Sequence, residues 1–371
     1  MVSAVLLCTT VFIFIFNHGL AKAGSSEEKV KAKTEIQCAI QYKPRIDIDI
    51  KTGEIIEYVN QSDPIDHMYC SAIGTDGRNL AEILQQTAAI LSSDAYTFAR
   101  FGTPTGNSTN ATASSFAAQV KQLHLYVAGN ITITQTSLAN FTILENFHVE
   151  FYTPDSSDLE SDLAQLTIAQ YTFENTPKLK EIHLIHKLYL PKETIQALET
   201  LKDQIVEFEV NECHPPNRII ELAKKFTNLE TLSLSMQLNR NDSNLDPSPH
   251  CPDDLLQSSA KSLKSIDIMG CDIGQLKTSM LQNLRNVTNL HLGLDNITTV
   301  DAGAFDPLTN LKYLYMTSNN IKHLPDGLFD QNSNLRVVDF VGNQVDNLSD
   351  ANFTHCDNFQ GLCLQLSDCE S

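Results

Sequence analysis

Residues 311–325 read LKYLYMTSNNIKHLP, and Phe329 follows shortly afterwards. Apolar side chains at the fourth and sixth positions of this segment are two residues apart, which is typical of a short strand with one buried face. Asn319 comes next, and two further apolar residues precede the turn-forming Pro325. The segment therefore predicts a short strand, a tight turn and a second buried stretch.

This segment is one of four blocks with the same pattern, each starting 24 residues after the previous one. In all four blocks the six pattern columns hold only apolar residues, so 24 of 24 positions agree. Repetition at this period is typical of leucine-rich repeats, in which each repeat adds one short strand to a parallel sheet. The blocks start at Leu263, Val287, Leu311 and Leu335.

A looser form of the strand pattern extends towards the amino terminus and brings the number of predicted repeats to nine. Residues 153–162 and 239–254 are rich in Asp, Ser, Asn and Pro, and we interpret them as loops. We expect the paired apolar residues of each strand to point inward and to form one continuous core. The pairs are Leu123/Leu125, Phe147/Val149, Ile182/Leu184, Phe208/Val210, Leu232/Leu234, Ile266/Ile268, Leu290/Leu292, Leu314/Met316 and Val338/Phe340.

The predicted fold is an α/β solenoid, a leucine-rich repeat horseshoe with a parallel concave β-sheet and cysteine-containing caps. The terminal repeats of a solenoid expose core on one side, which is why caps are needed. The predicted domains are a signal peptide at 1–23, an amino-terminal cap region with a helix and a glycosylated loop at 24–119, the leucine-rich repeats at 120–354 and a cysteine cap at 355–371.

Three features of the amino-terminal cap region are readable in the sequence. Charged and apolar side chains alternate in residues 45–50, and apolar residues are grouped between glutamates in residues 54–59. The two segments predict a hairpin that turns near Gly53. Residues 79–91 predict an amphipathic helix. Residues 102–115 are rich in Ser, Thr, Asn and Gly and predict an exposed loop.

Eight cysteines remain once the signal peptide, which contains Cys8, is set aside. We predict that Cys38 pairs with Cys70, and closing a loop of this length contributes about 3–4 kcal/mol. Cys251 has two candidate partners, Cys213 and Cys271. The alternative for Cys213 and for Cys271 is a buried, unpaired thiol at the ninth position of a repeat, where the chain turns. The residues predicted to form disulfides are Cys38, Cys70, Cys213, Cys251, Cys356, Cys363 and Cys369.

The amino terminus and the glycosylation sequons indicate a secreted, extracellular protein. Residues 1–23 combine an apolar run with the small-x-small site Ala21-Lys22-Ala23. An uncleaved anchor is the alternative, but the apolar run is shorter than the ~20 residues that a membrane span needs, and we predict no transmembrane segment. The sequons lie at Asn60, Asn107, Asn110, Asn130, Asn140, Asn241, Asn286, Asn296, Asn347 and Asn352.

Charge and motifs exclude several classes of function. The 371 residues include 26 Lys plus Arg and 45 Asp plus Glu, and the net charge of −19 argues against nucleic acid or an anionic membrane as the main partner. The sequence contains no H-E-x-x-H, G-x-S-x-G, phosphate-binding loop or C-x-x-C motif. We therefore predict no enzyme activity, no metal site and no cofactor. His183 and His186 form H-x-x-H on a strand, which predicts opposite faces for their side chains.

Three segments carry a family resemblance: DHMYCS at residues 66–71, LAEIL at 80–84 and QVKQLHL at 119–125. A cap cysteine, a short helix and a repeat array in this order resemble a family of secreted arthropod leucine-rich repeat proteins. These proteins are similar to the non-catalytic subunit of shrimp luciferase (Oplophorus-luciferin 2-monooxygenase). The resemblance covers most of the mature chain. It implies an alternative role as a non-catalytic accessory subunit of an extracellular oxidoreductase, in a luciferase-like complex.

The strand residues that point away from the core form the concave face, where repeat proteins usually bind their partners. Three adjacent histidines in its middle column could hold a metal ion or respond to pH near about 6, and solvated polar side chains are the ordinary alternative. We predict that the protein is a binding or scaffold module and that this face binds an extracellular protein. The predicted binding residues are His124, Tyr126, His148, Glu150, His183, Glu209, Asp267, His291, Tyr313 and Tyr315.

Overall fold

One twelve-stranded sheet dominates the computed structural model of the protein. The structure describes residues 35–41, 45–48, 55–58, 67–73, 121–127, 130–151, 163–236 and 249–364. Their strands, in chain order, are β1 (Glu35–Gln41), β2 (Arg45–Ile48), β3 (Ile55–Tyr58), β4 (His67–Ile73), β5 (Gln122–Val127), β6 (Ile131–Ile133), β7 (Asn146–Phe151), β8 (Ala164–Ile168), β9 (Glu181–Ile185), β10 (Leu188–Tyr189), β11 (Glu207–Asn211), β12 (Thr231–Ser235), β13 (Ser265–Met269), β14 (Gln275–Leu276), β15 (Asn289–Gly293), β16 (Thr299–Val300), β17 (Tyr313–Tyr315), β18 (Val337–Asp339) and β19 (Gly361–Cys363). Their helices are α1 (Gln135–Leu138), α2 (Lys192–Glu199), α3 (Pro216–Ala223), α4 (Thr278–Leu281) and a 3-10 helix at Asp350–Phe353.

The twelve-stranded sheet is parallel apart from its first strand. Its order is β1-β4-β5-β7-β9-β11-β12-β13-β15-β17-β18-β19, and β1 runs antiparallel to β4. Every other pair of neighbours in this sheet is parallel. Each repeat therefore adds one strand next to that of the preceding repeat, which is the architecture of an α/β leucine-rich repeat solenoid.

The predicted inward residues form the core of this solenoid. All nine predicted pairs are buried, with no member more than 3% exposed. Corresponding members are register partners across the sheet, as Leu123, Phe147 and Ile182 are on β5, β7 and β9. Burial of each such side chain contributes about 1.5–3 kcal/mol. The rows form one continuous cluster from Leu123 to Cys356, so the predicted core is confirmed.

The large sheet continues past both ends of the predicted repeat region. Met68 on β4 is the register partner of Leu123, and Leu362 on β19 is the partner of Val338. Two strands that the sequence analysis placed in the caps therefore extend the same sheet. At the far end, stacked phenylalanines close the core: the ring centroids of Phe353 and Phe359 are 4.3 Å apart.

The amino-terminal cap is described only in part. The predicted hairpin is present, since β2 pairs antiparallel with β3. Cys38 and Cys70 are register partners on β1 and β4, and the bridge between them stays a prediction. The predicted helix at 79–91 and the predicted loop at 102–115 lie outside the described residues.

Short helices and small sheets cover the other side of the core. Helices α2 and α3 bury Ala197, Leu198, Ile219 and Ile220, and β6, β8 and β10 form a separate three-stranded sheet. In the part of the chain that the structure describes, no helix combines the length and the apolar character that crossing a membrane requires.

The ninth position of each repeat, where the chain turns after the strand, forms a column that we call the turn column. Its side chains form hydrogen bonds with backbone groups of neighbouring repeats. Asn319 Oδ1 accepts hydrogen bonds from the N–H groups of Asp295 and Ile297, and its Nδ2 donates to the carbonyl of Leu292. Asn343 donates in the same way to the carbonyl of Met316. Because these backbone groups are buried, each would otherwise lack a partner. Asn319 and Asn343 thus tie the turns of neighbouring repeats together.

A second asparagine ladder was not anticipated from the sequence. An exposed Asn directly precedes the first apolar column of four repeats and donates from Nδ2 to a carbonyl 25 residues earlier. Its signal in the sequence is the recurring Asn before Leu or Val. The donors are Asn228, Asn286, Asn310 and Asn334.

The cysteines differ from the prediction in two places. Cys251 forms its disulfide with Cys271, which decides between the two partners left open by the sequence. Cys213 and Cys356 are buried thiols, so their predicted participation in disulfides is wrong. Cys213 instead takes the turn position, where its Sγ lies 3.3 Å from the carbonyl oxygen of Leu184. Cys363 is disulfide-bonded, as predicted; Cys369 lies outside the described residues.

Asp295 occupies the turn column with an incomplete set of hydrogen bonds. Its side chain is fully buried, Oδ1 accepts from the N–H of Cys271 at 2.8 Å, and Oδ2 has no hydrogen-bond partner. Burial raises the pKa of Asp295 to about 8, and the nearby Asp267 adds to this, against the effect of the Cys271 N–H. The carboxyl group is therefore protonated in the folded protein at neutral pH.

We expect Asp295→Asn to stabilise the protein at alkaline pH, because an amide can donate where Oδ2 cannot once it is ionised. The protonated carboxyl contributes its full stabilisation below its unfolded pKa of about 4, and this contribution is lost as the pH rises towards a folded pKa of about 8. By this linkage, the gain in the free energy of unfolding should be about 4 kcal/mol larger near pH 8 than near pH 4.5. Chemical denaturation at both pH values measures it; an equal gain at both would contradict this assignment.

Candidate functional site

The middle column of the concave face is in register, as the repeats predict. The parallel pairing of β5 to β18 places one outward residue of each strand beside the next. Neighbouring strands lie about 4.8 Å apart, so adjacent side chains are within contact distance. The column holds His124, His148, His183, Glu209, Ser233, Asp267, His291, Tyr315 and Asp339.

Three imidazole rings stack along this column. The ring centroids of His124 and His148 are 4.8 Å apart, and those of His148 and His183 are 5.7 Å apart. The interplanar angles of 22° and 23° make the three rings nearly parallel. Because neighbouring cations repel each other, such a stack opposes simultaneous protonation of adjacent rings.

His183 is held between two strands. Its Nδ1 lies 2.6 Å from Glu209 Oε2 on β11, and its Nε2 lies 3.2 Å from Asn146 Nδ2 on β7. A neutral imidazole with its proton on Nδ1 satisfies both contacts, since Nδ1 donates to the carboxylate and Nε2 accepts from the amide. Asn146 Nδ2 also donates to Glu181 Oε2 at 2.7 Å. These contacts fix the ring orientation.

Asn146 is the residue of this cluster that sequence reasoning did not select. Its side chain is only 8% exposed, and its Oδ1 is buried without a hydrogen-bond partner. A buried amide acceptor of this kind normally has a donor. The sequence offered one signal, an Asn in the outward column next to Glu181 and Glu207, where exposed polar residues are common.

Glu150 connects the stack to the end of β9. Its carboxylate lies 3.5 Å from His148 Nε2 and 3.8 Å from His186 Nε2. His186 also lies 3.8 Å from Glu212. The H-x-x-H motif was expected to place His183 and His186 on opposite faces, and this is wrong. The strand ends at Ile185, and the positive φ of 61° at His186 turns its ring back towards Glu150.

The environment moves the pKa values of these groups in different directions. Burial lowers the pKa of His148, repulsion by His183 lowers it further, and Glu150 only partly opposes this. Burial also lowers the pKa of His183, but Glu209 and Glu207 outweigh it and leave the pKa above the ordinary histidine value. The hydrogen bond from His183 lowers the pKa of Glu209, whereas burial raises the pKa of Glu207.

A second group lies further along the same face. His291 Nδ1 is 3.0 Å from Asp267, and its ring meets Tyr315 edge-on at 5.9 Å. The ring lies over Gly293, where an added Cβ would be only 2.9 Å from His291 Nε2. Glycine is therefore needed for this ring position. Tyr313 and Tyr315 are half-buried.

The predicted binding residues thus divide into two groups on one sheet. His124, His148, His183, Glu150 and Glu209 are in contact or on adjacent strands at the amino-terminal end. The backbone of Tyr126 is the register partner of Glu150. The remaining four, Asp267, His291, Tyr313 and Tyr315, lie on β13, β15 and β17.

The described residues contain no group of three histidine, cysteine or acidic side chains placed to hold a metal ion. The outward positions of β5 to β18 also contain no Lys or Arg, although the chain has 26 of them. Among the side chains that the structure describes, the face therefore presents carboxylates, imidazoles, amides, hydroxyls and the phenol rings of Tyr313 and Tyr315. This arrangement suits non-covalent recognition.

Comparison with known families agrees with the repeat architecture in one segment. The leucine rich repeat family matches residues 261–321. Among solved structures, a leucine-rich repeat protein of Leptospira interrogans is similar, with 16% identity and a TM-score of 0.38 over 66% of this chain and 73% of that chain. A search of curated proteins found no match.

We expect Glu209→Gln to lower the pKa of His183, because the variant removes the negative charge that faces Nδ1. A histidine NMR titration of the full chain measures this, and the spectrum of His183→Asn identifies the resonance. Glu193→Gln, which removes an exposed carboxylate from the first turn of α2, is the matched control and should leave the titration unchanged. Equal His183 midpoints in both variants would contradict the described pairing.

Proposed function

We propose that this leucine-rich repeat solenoid is a secreted binding or scaffold protein that recognises an extracellular protein through its concave face. The observation that carries the proposal is the ordered row of polar side chains along β5 to β18. Their backbones are fixed by the sheet and several side chains are already held by hydrogen bonds, as His183 is by Glu209. Binding to such a preorganised surface loses little side-chain entropy.

Secretion is supported by the predicted signal peptide at 1–23 and by the sequons. The six sequon asparagines in the described residues are all exposed, as glycosylation requires. None of the six lies in a strand of the twelve-stranded sheet, so carbohydrate attached to them would leave its outward side chains uncovered. These six are Asn130, Asn140, Asn286, Asn296, Asn347 and Asn352.

The chemistry of the face favours a protein over other partners. Nucleic acids and anionic lipids bind through Lys and Arg, and the outward positions of β5 to β18 have neither. Tyr313, Tyr315 and the polar side chains around them resemble the mixture that protein interfaces use. We therefore assign the protein a non-catalytic role.

Capture of partners from an extract of the native source tests the proposal. We expect the wild-type chain to retain a defined protein partner that two concave triple variants lose: His148→Ala/His183→Ala/Glu209→Ala and His291→Ala/Tyr313→Ala/Tyr315→Ala. The control triple, Lys192→Ala/Glu193→Ala/Arg218→Ala, changes exposed residues on α2 and α3 and should retain the partner. The proposal fails if the control loses the partner as completely as the concave variants do.

The same experiment addresses the accessory-subunit alternative. An oxidoreductase activity that copurifies with the chain, and disappears when the chain is removed, would identify the partner as an enzyme. A captured partner without such activity would favour a general binding or scaffold role.

A further inference from the structure

Four carboxylates crowd the outward surface of three adjacent strands. We call this set the acidic patch; it consists of Glu150 on β7, Glu181 on β9, and Glu207 and Glu209 on β11. Within the described part of the chain, their charged neighbours are histidines, and no Lys or Arg forms a salt bridge with any of the four. The patch therefore carries a negative charge that the protein itself does not neutralise with a permanent cation.

The carboxylates of the patch remain accessible. The side chains of Glu207 and Glu209 are 36% and 37% exposed, and that of Glu150 is 29% exposed. Burial raises the pKa of Glu207, and the negative charges of Glu181 and Glu209 add to the increase. An incoming cation would relieve this repulsion without displacing any group of the protein.

Asn146 is a second, independent observation that points to a ligand, because one acceptor of its side chain has no donor. It is 8% exposed, its Nδ2 is bonded to Glu181, and its buried Oδ1 accepts no hydrogen bond. The cluster thus combines four carboxylates with one buried amide oxygen whose acceptor capacity the protein leaves unused. A Lys ammonium supplies three N–H donors and an Arg guanidinium supplies five, with no competing acceptor.

We propose that the acidic patch binds a lysine- or arginine-bearing segment of the protein partner, with Glu181, Glu207 and Glu209 receiving the cation, and that protonation of the histidine stack releases it. This inference rests on the proposed function, since it specifies the partner chemistry at the same face. A cationic segment complements the patch in charge, whereas an anionic one would be repelled by it.

The pH dependence follows from the groups that surround each imidazole. His148 faces His124 from β5 and His183 from β9, with Glu150 on its own strand. His183 faces Glu207 and Glu209 from β11. Each proton taken up by the stack places a positive charge where the ligand cation would lie. Because Glu209 and Glu207 raise the pKa of His183 whereas burial and repulsion lower that of His148, we expect binding to weaken progressively as the pH falls through the range on both sides of about 6.5.

Fluorescence anisotropy with labelled peptides tests the inference on the full chain. The probes are an alternating Arg-Ser decapeptide and an alternating Glu-Ser decapeptide. We expect only the Arg-Ser peptide to bind at pH 7.5, and to bind at least about tenfold more weakly to Glu207→Gln/Glu209→Gln and to the wild type at pH 5.5. The matched control, Glu193→Gln/Asp326→Asn, removes the same charge from exposed sites outside the face and should stay within about twofold of the wild type.

A second variant leaves every residue of the patch in place. Ser233 is the register partner of Glu209, so Ser233→Lys puts an internal ammonium beside the patch and should weaken Arg-Ser binding as strongly. The inference is overturned by three results: no binding of the Arg-Ser peptide, equal binding of the Glu-Ser peptide, or an equal loss in the Glu193→Gln/Asp326→Asn control. If the concave triple variants lose the native partner while Glu207→Gln/Glu209→Gln keeps it, the inference fails and the proposed function stands.

Discussion

No single repeat of this chain can bury its own apolar side chains, and the rest of the structure depends on that constraint. The inward pair of each strand is covered only because the next repeat stacks against it, as Phe147 and Val149 of β7 lie between the pairs of β5 and β9. The same stacking forces the outward residues into register. The histidine column is therefore positioned by the core beneath it, and no loop has to hold it in place.

Stacking also buries backbone groups at every turn, and the protein satisfies them with different chemistries at one position. Asn319 provides both an acceptor and a donor and so completes the set. Asp295 provides the acceptor but leaves one oxygen without a partner. Cys213 supplies a weak thiol donor, and Cys271 is joined to Cys251 through a disulfide. The hydrogen bonding of buried backbone groups thus becomes less complete away from the Asn-containing repeats. At Cys271, whose side chain does not supply such a hydrogen bond, the disulfide adds a covalent constraint.

Features with a fixed period were predictable from the sequence, and features set by single long-range contacts were not. The inward rows and the outward column follow from a two-residue alternation repeated along the chain. The choice between Cys213 and Cys271 as partner of Cys251 depends on the path of a long loop, which periodicity does not determine. The position of His186 depends on a left-handed turn directly after β9. Asn146 was not selected because an isolated polar residue in an outward column is ordinary until its neighbours are known.

The position of the acidic patch within a sheet explains why its charge persists. Carboxylates on a flexible surface can rotate apart and recruit water, but Glu181, Glu207 and Glu209 start from strands spaced about 4.8 Å apart by backbone hydrogen bonds. Their backbone positions cannot separate without breaking the sheet, and the sheet cannot yield without exposing the leucine rows. The energy of packing the core thus maintains the crowding of like charges at the surface. The histidines beside these carboxylates are the internal means of relieving it, because each proton that they take up adds a positive charge next to Glu207 and Glu209.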